Sequence, residues 1–272
     1  GVKFRSPLDG RSLFVTPELS MEIQEAVGSD IAMAFDECTE PSATKEYIRN
    51  SVNRTTAWAK RFLIAHRRNS KQSFFGVVQG GFFNDLREES ASQITAMDFD
   101  GFALGGLSVG EDFETTERVL SSSVELLPED RPRYLMGVGT PELIMVAVEN
   151  GVDMFDSVLP TRLGRHGAAL TSRGRVNLKS ARNKLDRSPV DPFCQCKVCS
   201  TYSKAYIHHL FTRDEILGKT LLSYHNISFL MQFVKKIREA ILEDRLAEFK
   251  NYCLETGLIQ AVNPKTSEER MG

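Results

Sequence analysis

The sequence predicts an α/β fold: a parallel (β/α)8 barrel whose first strands are missing, with a small metal-bearing subdomain inserted near the C-terminus. Three observations carry this. Short apolar runs alternate with longer helical segments between Asp30 and Pro160, polar residues gather at the ends of those runs, and three of the five cysteines fall within six positions near the C-terminus.

The runs are Asp30–Cys38, Phe74–Gly80, Phe99–Leu107, Tyr134–Gly139 and Asp153–Pro160. Their near-continuous hydrophobicity suits strands covered on both faces. Between the first two, Tyr47, Ile48, Val52, Thr55, Trp58, Ala59, Phe62 and Leu63 recur at helical spacing, followed by basic residues suited to a helix C-terminus. Helices are expected next at Asn84–Met97 and Thr115–Leu127. Thr140-Pro141-Glu142 then offers an N-cap and a first-turn proline, with Gly151 closing that helix. Periodicity alone admits either an open doubly wound sheet or a closed barrel. Asp36, Gln79, Gly105-Gly106, Gly137 and Asp156, spread over successive strand ends, favour the barrel, whose site is assembled from many strands. Eight strands need roughly 250 residues, and five are used by residue 160, so the chain is expected to be short at its N-terminus. Residues 1–185 are therefore assigned to a partial barrel, and 186–272 to the metal-bearing subdomain with C-terminal helices: Tyr202–Phe211 and a second from about Ser223 to Leu242.

At 272 residues, 41% hydrophobic and 26% charged, the chain has a globular composition with room for a large core. No window approaches 18 consecutive apolar residues, and the first ten residues lack the pattern of a signal peptide. A cytoplasmic protein that does not enter a membrane is expected. The net charge of −2 hides a local field: Thr161–Arg187 carries Arg162, Arg165, Arg173, Arg175, Arg182, Arg187, Lys179 and Lys184 against Asp186 alone. Such a track beside a strand end suits phosphate.

Cys194, Cys196 and Cys199 crowd into one tight loop, and clustered cysteines in a reducing compartment argue for metal. The next soft ligand, on a predicted helix start, is His225, after 25 intervening residues; His208 and His209 lie nearer but inside an apparent helix, where histidines pack or face a partner. Three sulfurs and one imidazole make a closed tetrahedral zinc site, which is structural because no position is open.

Asp156 lies within the fifth run, just ahead of the basic track, where a carboxylate can attack an anomeric carbon. At this point the motifs converge. Met33–Cys38, Val78-Gln79-Gly80-Gly81, Ala103–Glu111, Tyr134–Gly139 and Phe155–Arg165 closely resemble the motifs of bacterial tRNA-guanine transglycosylases, and the Cys-x-Cys-x-x-Cys…His pattern resembles that family's zinc site. The likeness runs over essentially the whole chain, with the blocks in the family's order.

The resemblance implies exchange of the wobble guanine in the anticodon loop of GUN-anticodon tRNAs for 7-aminomethyl-7-deazaguanine, a precursor of queuosine. It makes Asp156 the nucleophile. It implies that Asp36 accepts the two adjacent N–H groups of the base, and that Gln79 and the Gly106 N–H serve the base carbonyl, with Gly105 and Leu107 in the same pocket. Met136 would lie on the purine face. Val109 matches the bacterial enzymes where eukaryotic ones carry glycine, which favours the aminomethyl base over the bulkier queuine. Arg162 and Arg165 match tRNA-backbone contacts, and a homodimer with Tyr202–Phe211 at its interface is implied.

Two departures stand against the pattern. The family's Asp-Ser-Gly-Gly-Phe-Gln block, with a second essential aspartate, is absent from these residues, which makes the chain resemble an N-terminally truncated member; and Ser157 stands where many bacterial members have cysteine. Alternative readings are a noncatalytic zinc-stabilised tRNA-binding subunit and an archaeosine-type transglycosylase.

Overall fold

The computed structural model describes residues 1–65 and 71–260. Contacts group the chain into two compact units, residues 1–137 with 147–155 and residues 138–146 with 156 onward. The texture boundary at residue 185 falls inside the second unit, and a domain border there is a proposal.

In the first unit, five parallel strands are hydrogen-bonded in sequence order: β3 (Ile31–Met33), β4 (Ser73–Val78), β5 (Gly101–Leu104), β6 (Arg133–Leu135) and β7 (Met154–Phe155). They form a curled half-barrel sheet, as the βα alternation predicts. Each is shorter than its apolar run, because the last residues of every run leave the ladder to form the loop beyond the strand. The connections are α2 (Lys45–Ala65), α3 (Asn84–Thr95), α4 (Phe113–Val124) and α5 (Pro141–Glu149). The basic residues expected to close α2 fall at 66–68, outside the described residues.

Central β4 and β5 are almost wholly buried; α2 and α3 pack against β4, α4 packs against α3, and Val52, Ala59, Phe62, Leu86, Ile94, Val119 and Leu120 are buried residues of these helices. Backbone spacing in the sheet is set partly by missing side chains. Gly101 sits opposite Phe75 in the β4–β5 register, and a Cβ at 101 would come within 2.4 Å of the Phe75 ring. α4 begins two residues before its expected start because Asp112 caps it, its carboxylate accepting from the Thr115 N–H at 2.7 Å. Thr140 caps α5 as expected, accepting from Leu143 N–H at 3.3 Å, and Gly151 follows in the left-handed region at φ +89°.

Ahead of the repeat lie three elements the pattern did not predict: an antiparallel hairpin of β1 (Val2–Arg5) and β2 (Ser12–Val15), then α1 (Pro17–Val27). Thr16 caps α1 by accepting from Leu19 N–H at 3.2 Å, and Gly28 ends it at φ +73°.

The second unit holds α6 (Leu159–His166), an antiparallel hairpin of β8 (Ala168–Thr171) and β9 (Gly174–Asn177), a 3-10 turn at Ala181–Asn183, α7 (Lys197–Thr201), α8 (Lys204–Thr212), α9 (Ile216–Leu242) and α10 (Leu246–Glu255). Its core joins Ala169, Leu178, Val190, Val198, Ile207, Phe211 and Leu222 to the thiols of Cys196 and Cys199. The helix expected from Ser223 starts seven residues earlier. Gly218 lies in its first turn, where a Cβ would be only 3.0 Å from Leu210 Cβ, and so lets α8 pack closely. His225 therefore sits in the third turn of α9, not at a helix start. Among the described residues, no helix is long and apolar enough to cross a membrane.

Candidate active site and metal centre

The loop after β3 is stitched to α2. Glu37 N–H donates to Thr55 Oγ1 at 3.1 Å, Ser51 Oγ donates to the Glu37 carbonyl at 3.0 Å, and the Glu37 carboxylate takes Tyr47 Oη at 2.9 Å and the Arg54 guanidinium. Phe35 stacks on Trp58 at 5.0 Å between centroids. The residue between these anchors is Asp36.

Gln79, one residue past β4 and 2% exposed, donates from Nε2 to Asp36 Oδ2 at 2.6 Å, while its own N–H donates to Ser90 Oγ at 3.0 Å. A carboxylate only accepts, so this contact assigns the amide orientation and commits one of its N–H groups to Asp36. It leaves Gln79 Oε1 buried without a hydrogen-bond partner. Gly105 and Gly106 make room for that amide: a Cβ at 105 would lie 2.4 Å from Gln79 Nε2, and one at 106, where φ is +69°, 2.6 Å from Oε1. Burial pushes the Asp36 carboxyl above its ordinary value, and the bond from Gln79 pulls only partly back. The result is a half-buried acceptor beside an unsatisfied carbonyl and a stretch of naked main chain, suited to a flat ligand rich in N–H donors.

Arg87 of α3 frames this cluster. It is 1% exposed, and its guanidinium donates from Nε to the Gly81 carbonyl at 2.9 Å, from Nη1 to Val78 at 3.2 Å and from Nη2 to Gly106 at 3.5 Å. One side chain thus ties the loops on both sides of Gln79. Burial depresses its pKa to about 10, which leaves it cationic at neutral pH.

Leu107 is 3% exposed, so only its main chain can address a ligand. The next turn passes through Ser108 at φ +57° and is held by Glu111, which accepts from Ser108 N–H at 2.5 Å, Val109 N–H at 2.9 Å and Thr116 Oγ1 at 2.7 Å. Val109 is exposed at its tip. Met136 is half-buried directly after β6, its N–H donating to the Leu104 carbonyl at 3.3 Å.

Asp156 is exposed and peptide-bonded to the last residue of β7. Three residues later α6 begins, its Leu159 N–H donating to Ser157 Oγ at 3.1 Å. Pro160, Leu163 and Gly164 form the buried side of α6, while Arg162 and Arg165 are exposed. The rest of the basic track is exposed too, at Arg173, Arg175, Lys179, Arg182, Lys184 and Arg187.

In the second unit, His225 Nδ1 lies 3.9 Å from Cys194 Sγ, 3.4 Å from Cys196 Sγ and 3.3 Å from Cys199 Sγ, and the four ligand atoms lie within 4.8 Å of one another. Bonds of ~2.3 Å to sulfur and ~2.0 Å to nitrogen at a tetrahedral angle put S and N about 3.5 Å apart, so this donor set fits a metal ion. The other ring nitrogen, Nε2, donates to the Leu170 carbonyl at 2.8 Å, which turns the Nδ1 lone pair toward the sulfurs. Buried Asp191 shapes the cysteine loop, accepting from Ser172 N–H and Oγ at 2.8 Å each and from Phe193 N–H at 3.0 Å. A hydrogen bond from Cys199 holds the Cys194 thiol down at about 4 and raises Cys199 in turn, so negative charge gathers where a cation would sit. His208, the nearer candidate, instead packs in the core, its Nδ1 2.9 Å from the Leu178 carbonyl.

The structure thus brings Asp36, Gln79, Gly105 and Gly106 into one cluster and the three cysteines with His225 into another, while Asp156, Arg162 and Arg165 lie on and beside α6. Sequence reasoning missed Arg87, Ser90, Glu111, Asp191 and Asn226. For Arg87 a signal existed: it lies on the stripe of Leu86, Ser90, Ala91 and Ile94, all buried at helical spacing.

Residues 1–256 match the model of the family described as queuine tRNA-ribosyltransferase. Among curated relatives, the queuine tRNA-ribosyltransferase of Anoxybacillus flavithermus is 52% identical over 255 residues, 94% of this chain and 67% of its own length. That of Geobacillus kaustophilus is 52% identical over 92% of this chain and 66% of its own, and that of Lactococcus lactis subsp. cremoris 49% over 96% and 68%. The chain spans about two thirds of the length of these relatives. On the match across residues 1–256 and an identity near one half, the chain belongs to the queuine tRNA-ribosyltransferase family, the tRNA-guanine transglycosylases, which are pentosyltransferases.

Proposed function

We propose that the protein carrying this chain exchanges the wobble guanine of GUN-anticodon tRNAs for 7-aminomethyl-7-deazaguanine, in queuosine biosynthesis. The observation that carries the reading is the Asp36–Gln79–Gly106 cluster in a member of this family: a half-buried carboxylate that takes one N–H of Gln79, beside open glycine main chain. Guanine and its 7-deaza analogue offer two adjacent N–H donors, on the ring and the amino group, and Asp36 accepts both. The second N–H of Gln79 and the N–H of Gly106 serve the base carbonyl, the main chain of Gly105 and Leu107 lines the pocket, and Met136 covers the ring face. Val109 limits the 7-substituent to one of aminomethyl size.

Asp156 acts as nucleophile. Its carboxylate attacks C1′ of the ribose, the C1′–N9 bond breaks, and guanine departs with the electron pair on N9, which takes a proton from water. The incoming base then gives its N9 proton back to water, attacks C1′ and expels the carboxylate. Two inversions retain the configuration. Arg162 and Arg165 hold flanking phosphates. Zinc on Cys194, Cys196, Cys199 and His225 serves the fold and takes no part in the exchange. The protein acts in the cytoplasm as a homodimer, with the stacked pair Tyr202–Tyr206 beside the cysteine loop at the interface.

The test is a covalent trap. The full-length enzyme incubated with tRNA in the absence of exchanging base is expected to give an adduct stable on a denaturing gel. Asp156→Ala should abolish it and lower turnover by on the order of 10⁴-fold. An adduct that survives in Asp156→Ala refutes the nucleophile assignment, and turnover with queuine but not the aminomethyl base refutes the substrate.

A further inference from the structure

The residue after the histidine ligand is as constrained as the ligand itself. Asn226 is 0% exposed, and every hydrogen-bonding position of its amide is engaged except a second lone pair: Nδ2 donates to the Pro160 and Ala168 carbonyls at 2.9 Å each, and Oδ1 accepts from Leu170 N–H at 2.9 Å. Pro160 is in the first turn of α6, and Ala168 lies just past Gly167, the left-handed cap that ends it. A single amide therefore pins both ends of that helix. Leu170, which gives its N–H to Asn226, gives its carbonyl to His225 Nε2 at 2.8 Å, and His225 Nδ1 faces the three sulfurs.

The helix so held is short and depends on its neighbours: it packs along α9, whose Ser223 Oγ also donates to the Thr161 carbonyl at 3.5 Å. Eight residues are too few for a stable helix in water, and α6 buries only Pro160, Leu163 and Gly164. Gly164 exists to admit α9: a Cβ there would lie 2.6 Å from Ser223 N. The register of α6 is thus set by α9 within three residues of the metal ligand.

We propose that Asn226 is a positioning residue that transmits the order of the metal centre into α6. The ion, one bond from His225, fixes the ring; the ring and Asn226 fix Leu170 from its two polar sides; and Asn226 fixes the two ends of α6. The metal would then govern the presentation of Arg162 and Arg165 without touching RNA, a consequence that rests on the reading of those arginines as phosphate contacts.

Hydrogen exchange of the full-length protein, with zinc content measured in parallel, tests this. Asn226→Asp keeps the acceptor for Leu170 N–H but turns an oxygen onto the Pro160 and Ala168 carbonyls. It is expected to retain one zinc per chain while the amides of residues 163–166 exchange at least about tenfold faster, since two buried bonds are lost, with α2 unchanged. In wild-type protein stripped with a chelator, α6 should loosen together with α7. Wild-type protection of α6 in zinc-loaded Asn226→Asp, or α6 still protected in stripped protein after α7 has opened, overturns the proposal. If Asn226→Asp does not fold, the stripped protein decides alone. A loosened α6 with unchanged affinity for an anticodon stem-loop supports the transmission and refutes the RNA role of Arg162 and Arg165.

Discussion

Two polar clusters, one in each compact unit, are built on opposite rules. The four ligands in the second unit answer one another: three sulfurs surround one imidazole nitrogen, the other ring nitrogen is taken by Leu170, and Asp191 closes the loop from behind. The cluster of the first unit is left open. Gln79 Oε1 is buried without a partner, Asp36 is held above its ordinary pKa by burial, and glycines stand where side chains would have filled the gap. Polar groups that satisfy one another hold a fold, whereas buried polar groups left unsatisfied hold a place for something that arrives later. On the proposed reading, the difference is that between a structural centre and a binding one.

The comparison breaks most visibly at the metal. In structural zinc sites the ion contributes on the order of 10 kcal/mol to folding, so chelation should melt α7 and the β8–β9 hairpin while α2 stays protected from hydrogen exchange. Loss of protection in both units at once would show that the closed cluster supports more than its own unit. Next in size is Arg87→Met, which strips three carbonyls of a charged donor and should cost about 2–4 kcal/mol in denaturant unfolding. Base affinity should fall with it, and Arg87→Lys should recover part of both. Unaltered base affinity in Arg87→Met would remove Arg87 from the framing of the pocket.

Asp36→Asn separates the two rules within one residue. Loss of two charge-assisted bonds should weaken free-base binding by about 10²-fold or more, measured by calorimetry. The fold, by contrast, should gain slightly at neutral pH. The wild-type carboxyl is raised from 3.8, so its contribution is fully present below that value and is lost as pH rises through the raised folded value. The Tm advantage of Asp36→Asn should therefore grow from pH 3.5 to pH 7, and a constant gap would show that Asp36 is not strained in the free protein. The smallest effect is expected at Arg165→Ala, which should lower the slope of log affinity for tRNA against log salt by about 1 and leave free-base affinity unchanged.

Much of this was legible in the sequence, for identifiable reasons. The five strands announce themselves because β4 and β5 are covered on both faces and admit little but apolar residues. The candidate metal-binding residues are legible because three of them share one loop. The β1–β2 hairpin is not, since β1 is exposed along its whole length and carries no burial pattern. α1 had its signals in Thr16, Pro17 and Gly28, although only Pro17 and Met21 of it are buried. The first two turns of α9 were hidden by Gly218, which reads as a helix breaker and serves as a packing notch. Arg87 and Asn226 stayed silent for a deeper reason. Their partners are main-chain carbonyls and N–H groups, and a sequence does not show where the backbone will lack a partner.

The facing pair Phe75 and Gly101 has a consequence for how this sheet can change over generations. The ring occupies the volume that any side chain at 101 would need, so residue 101 cannot grow while residue 75 keeps its ring. Enlarging residue 101 demands a smaller residue 75 in the same lineage, and shrinking residue 75 first opens a void beneath β5 that a later alanine or valine at 101 can fill. Relatives of this chain are accordingly expected to carry either the large-small pair or its inverse, with the double substitution Phe75→Leu, Gly101→Ala milder than Gly101→Ala by itself.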